Sequence, residues 1–121
     1  MSVMIREETN SIYSHVAVID GDNVIEASPI KGVVETPLKL WLRMYPINKT
    51  ITVQGDVNLA RERLGRAYDF EGLLAIGLNI DKYDNVQRPD KDFCSETVAY
   101  AMGLPNGHRM LPDDFLQYAI D

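Results

Sequence analysis

"HVAVIDGDNVIEA", His15 to Ala27, is the stretch that decides the fold. Two runs of β-branched and apolar residues flank a Gly-Asp-Asn cluster at Gly21 to Asn23, which reads as a β-hairpin with a tight turn. Directly paired residues of a hairpin point to one face. A two-residue turn at Gly21-Asp22 sets Ser28 opposite His15 and Glu26 opposite Ala17. His15 and Glu26 are then same-face diagonal neighbours, about 7–8 Å apart at the backbone and bridgeable by their side chains. A turn with an odd number of residues puts them on opposite faces. Glu26 stands in an otherwise apolar strand, where a buried carboxylate is costly without a partner. The plainer alternatives are a solvated histidine at a strand end and an edge carboxylate reaching water.

Working outward, "SVMIRE" before the hairpin reads as a short first strand, and "KGVVE" after it as a short extension. Thr36-Pro37 reads as a helix start, with Thr36 as N-cap and Pro37 at the first helical position. Leu38, Leu40, Trp41 and Leu42 follow until Pro46 stops the segment. "KTITVQ" alternates as a strand does. Asp56 is placed to cap a helix through Leu64, ended by Gly65. Phe70, Leu73, Leu74, Gly77 and Leu78 share one face of a helix starting near Asp69. "DKYDNVQRPDKD" is polar and irregular, hence a loop. A helix follows that carries Cys94, with Asp90 and Asp92 available as caps, and it ends at Gly103. "LPDDFLQYAI" gives a short last helix. Strands cluster early and helices late, which favours α+β with a small antiparallel sheet over an alternating parallel one.

The chain's 121 residues, 45% hydrophobic and 25% charged, suit one domain spanning 1–121 with a core that needs no staple. A net charge of −6 gives no electrostatic reason to seek nucleic acid or anionic lipid. One cysteine cannot form an internal disulfide. "MSVMIREETN" has no apolar h-region and no run approaches a membrane span, so a cytoplasmic location is the default expectation.

"DFCSETVAYAMG" (Asp92 to Gly103) places Cys94 in the first turn of its helix, where backbone N–H groups favour a thiolate. Cys94, Val98 and Ala101 fall at i, i+4 and i+7, so the sulfur is on the apolar, sheet-facing side. A buried packing cysteine is the alternative. A nucleophilic cysteine needs a base, and the chain offers only His15 and His108; His108 lies in the loop "LPNGHRM". Glu26 is the candidate acceptor for the second ring nitrogen of His15, to fix its tautomer. Two histidines and one cysteine give no zinc spacing, and Asp81, Asp84, Asp90 and Asp92 lack the EF-hand pattern, so no metal or cofactor is expected.

The order of histidine, acidic residue and late helical cysteine resembles the circularly permuted NlpC/P60 hydrolases, which share a papain-like fold. The likeness is strongest to the YiiX/YebB-like group, through "GRAYDFEGLL" (Gly65 to Leu74), "DFCSETV" (Asp92 to Val98), the histidine hairpin and "LPDDF". The hairpin is also similar to that of the lecithin retinol acyltransferase-like proteins, which usually carry a second histidine where this chain has Glu26. The resemblance runs from about Val3 to Leu116. It implies a single-domain permuted papain-like fold with Cys94 as nucleophile, His15 as general base and then acid, and Glu26 as orienter. It also implies an acyl-enzyme intermediate, with an oxyanion hole from N–H groups at the start of the Cys94 helix. Tyr68, Asp69 and Ser95 are the candidates for a substrate-binding wall. For Asp69 a helix cap and for Tyr68 a packed aromatic are the alternatives, and Glu96 is expected to be structural and paired. The implied activity is a cysteine hydrolase cleaving an amide of a peptide or a peptidoglycan stem peptide. The alternatives are a lipid thioesterase or acyltransferase, and a non-catalytic binding module, such as a phage-associated one, on the same fold.

Overall fold

The computed structural model describes residues 1–6, 15–69 and 91–120. Five strands, β1 (Ser2–Arg6), β2 (Val16–Asp20), β3 (Asn23–Ser28), β4 (Gly32–Pro37) and β5 (Asn48–Thr52), form one antiparallel sheet in the order β4-β3-β2-β1-β5. The central hairpin turns through Gly21 and Asp22, with Asp20 opposite Asn23, Ile19 opposite Val24 and Val18 opposite Ile25. Gly21 supplies the left-handed conformation, φ 60°, that a two-residue turn demands.

Because side chains alternate along each strand, the sheet buries two different faces. Val16, Val18, Ile25 and Ala27 face one layer, and Met4, Ala17 and Val24 face the other. Helix α1 (Leu38–Met44) carries the chain from the β4 edge to the β5 edge, and its Trp41 is fully buried over Met4, Ala17 and Val24. Helices α2 (Val57–Glu62) and α3 (Cys94–Met102) cover the opposite face through Ala60, Val98 and Ala101. A two-residue parallel pair, β6 (Ala67–Tyr68) with β7 (Lys91–Asp92), leads into α3. The result is a small mixed α/β domain, an antiparallel five-stranded sheet with helices on both faces and helices interleaved with the later strands.

Four local readings change. "KGVVE" is part of a full strand: β4 pairs with β3 from Ser28↔Gly32 to Asn23↔Pro37. Thr36 therefore pairs with Val24 instead of capping α1, and Pro37 stays extended at ψ 133°. The helix opens at Leu38, whose N–H bonds the Asp22 carbonyl at 2.8 Å. Asp92 belongs to β7, leaving Phe93 at the N-cap of α3 with no side-chain cap, while the Glu96 carboxylate accepts from the Phe93 N–H at 3.1 Å. The last helix is a 3-10 helix over Pro112–Tyr118. Asp56 does cap α2, accepting from the Asn58 N–H at 2.9 Å. The helix expected from near Asp69, Asp90 as a cap, and most of the polar loop that follows lie outside the described residues.

Candidate active site

His15 immediately precedes β2, and Glu26 sits within β3. The hairpin register carries both onto the α1 face, and there His15 Nε2 meets Glu26 Oε1 at 2.8 Å. Both side chains are buried, at 8% and 4% exposure. Cys94 opens α3 on the other face and is 3% exposed. Its sulfur is a second hydrogen-bond partner of the His15 ring. Since Nε2 is taken by Glu26, Nδ1 is the ring nitrogen left for the thiol. The two faces thus meet where β2 begins, and the three side chains come together from three elements.

Burial by itself would lower the His15 pKa. The hydrogen bonds to Cys94 and Glu26, with the negative charge of both, outweigh it and raise the pKa to about 9. Burial pulls Glu26 upward, but the bond to His15, the imidazolium charge, a hydrogen bond from Thr36 and the more distant Lys31 hold it below the usual carboxylate range. Thr36 reaches Glu26 because positions 24 and 36 pair directly on the same sheet face.

Aromatic rings close over the imidazole. Its centroid lies 5.2 Å from Tyr45 and 6.1 Å from Trp41, which are themselves 4.8 Å apart. The Arg6 guanidinium stands 5.3 Å above the Tyr45 ring. Burial raises the Tyr45 phenol above its ordinary pKa, and the charges of Glu26 and Cys94 add to this against Arg6. Tyr68 is also raised, first by burial and then by the charge of Cys94, Asp69, Tyr45 and Glu96.

A second polar cluster braces the start of α3. Asp92 is fully buried and accepts from Thr97 Oγ1 at 3.1 Å, with Arg63 Nε at 3.0 Å and Arg66 Nε at 3.1 Å. Asp69 is fully buried, and its N–H bonds the Asp92 carbonyl at 2.9 Å. Glu96, 2% exposed, is raised to about 8: burial and the charges of Asp92 and Asp69 overcome the bond from the Phe93 N–H. Glu96 is consequently protonated at pH 7, and its O–H donates a hydrogen bond to Asp69.

Of the residues singled out in the sequence, Cys94, His15 and Glu26 are brought together, Tyr68 packs against the core cluster that holds Cys94, and Asp69 lies with Asp92 and Glu96 in the polar cluster at the start of α3. Ser95 is fully buried with no hydrogen-bond partner for its Oγ, so it presents no open surface. His108 lies on a separate 3-10 turn, Gly107–Arg109. Thr36, Trp41 and Tyr45 were missed. The i, i+4 spacing of the two aromatics was a readable signal that they share a helix face. Among the described residues, no cluster of three or more His, Cys, Asp or Glu is placed to hold a metal ion, and no helix is long and apolar enough to cross a membrane. Comparison with known family models, curated proteins and solved structures gives no match.

Proposed function

We propose that the chain is a cysteine hydrolase that cleaves an amide bond, on a circularly permuted papain-like fold of the NlpC/P60 type. One observation carries the reading: a buried imidazole with a carboxylate 2.8 Å from one nitrogen and, as its other partner, a cysteine in the first turn of a helix. Cys94 is the nucleophile. Its proton rests on His15, and Glu26 fixes the tautomer and balances the imidazolium charge. The thiolate attacks the amide carbonyl carbon, and the C=O electron pair moves to oxygen. Backbone N–H groups at the start of α3 stabilise that oxyanion. When the intermediate collapses, the C–N bond breaks and His15 gives its proton to the leaving amine, leaving a thioester on Cys94. His15 then takes a proton from water, which attacks the thioester and releases the acid. A peptide or a peptidoglycan stem peptide is the substrate this reading favours.

A thioesterase or acyltransferase acting on lipid acyl groups is the second reading. It draws on a cavity of about 320 Å³ beside Glu26 and Tyr45, walled by Ile30, Leu40 and Met44. Ile30 is 92% exposed there, and apolar walls of this kind suit an alkyl chain. Peptide amides, stem peptides and acyl thioesters, tested against wild type and Cys94→Ala, separate the two. The expected result is amide turnover lost in Cys94→Ala, with a transient acyl adduct on Cys94 by mass spectrometry. Turnover of thioesters alone transfers the assignment to the second reading. Absence of both turnover and adduct removes the enzymatic one.

A further inference from the structure

Tyr45 is the residue that follows α1, and its N–H bonds the Trp41 carbonyl at 2.9 Å. This closing turn sets the two rings side by side, 4.8 Å apart and tilted by 52°, so that both present to His15. The interplanar angle between His15 and Trp41 is 27°, and between His15 and Tyr45 it is 36°. Tyr45 also lines the 320 Å³ cavity, whereas His15 does not. Its ring thus stands between that space and the imidazole, while Glu26 borders the cavity as well. Arg6, at the end of β1, anchors the same ring.

We propose that Tyr45 is a positioning residue for the reaction: its ring, together with that of Trp41, fixes the plane of the His15 imidazole and stabilises the imidazolium. The inference rests on the cysteine-hydrolase reading. Two hydrogen bonds leave a planar ring free to tilt about the line joining them, and a packed face removes that freedom. A π face also attracts a cation, most strongly where water is excluded. Among the described residues, the charged groups acting on the imidazole are Glu26 from β3 and Cys94 from α3; Arg6 of β1 bonds the His15 carbonyl through its backbone N–H at 2.7 Å and lays its guanidinium over the Tyr45 ring. The ring therefore adds a stabilising contact that neither hydrogen bond supplies.

The test is an NMR titration of His15 in the full chain, in wild type, Tyr45→Leu and Tyr45→Phe, with kcat and KM measured in parallel. Tyr45→Leu should bring the His15 pKa from about 9 to about 8, a roughly tenfold loss of imidazolium stabilisation. It should lower kcat with little change in KM, and Tyr45→Phe should keep both wild-type values. Tyr45→Met carries the same expectation as Tyr45→Leu should the latter fail to fold. An unchanged His15 titration in the apolar variants overturns the proposal, as does a Tyr45→Phe variant that behaves like them. The titration reads the imidazole directly. A wild type without hydrolytic activity would sink the hydrolase reading while leaving the titration to decide the role of Tyr45.

Discussion

Glu26 touches His15 but not the atoms that would react, so its contribution should appear in turnover. An acceptor at 2.8 Å from Nε2 holds the ring in one tautomer and favours its charged form. Glu26→Ala should lower kcat by about a hundredfold or more with KM nearly unchanged. Glu26→Gln should retain more activity, because its amide oxygen still accepts from the ring N–H. Steady-state kinetics on any substrate that wild type turns over measures both, and full activity in Glu26→Ala would leave a Cys94–His15 dyad. This residue pair was legible before the structure. The even turn, the odd placement of a carboxylate among Val24, Ile25 and Ala27, and the fixed alternation of a strand left one partner within reach.

The α3 N-terminus is an element whose stability should depend on pH through Glu96. Its folded pKa of about 8 lies above its ordinary 4.5. The folded chain therefore keeps a proton that the unfolded chain gives up in between. Stability from this group is fully present below about 4.5 and is lost as the pH rises through about 8. Glu96→Gln mimics the protonated acid, so urea unfolding should show a flatter pH dependence between these limits and a higher midpoint than wild type at the alkaline end. An unaltered slope would show that Glu96 does not hold the proton. At the sheet edge, β4 is tied to the segment after α2 by Val33, whose N–H and carbonyl bond Arg66 and Gly65, each at 2.9 Å. Gly32 permits this approach: its φ is +78°, and a Cβ there would collide with the Arg66 carbonyl. Gly32→Ala should destabilise by about 2 kcal/mol or more, read as a drop in the thermal midpoint. Neither device could be read from the sequence. Both depend on contacts between elements far apart in the chain, and a capping pattern at Asp92 or Thr36 looks the same whether the backbone there is free or already paired in a sheet.

At the scale of the whole molecule, a sheet with two buried faces brings a strand-end histidine from one face to a helix-start cysteine from the other. Composition and patterning anticipated the antiparallel sheet, the hairpin and the buried face of α3. They did not anticipate that α1 would lie over the histidine, because a short helix with Leu40, Leu42 and Met44 exposed carries no clean apolar stripe. The central claim is that this crossing makes Cys94 a nucleophile driven by His15. The most direct measurement is the rate of Cys94 alkylation by iodoacetamide at about pH 6, followed by intact-protein mass spectrometry in wild type and His15→Ala. His15→Ala deletes a buried ring beside the thiol and so can only widen the reagent's access, which leaves lost activation as the cause of any slower reaction. The account predicts that wild type reacts at least about tenfold faster than His15→Ala. Equal rates would contradict it and leave Cys94 a packing residue.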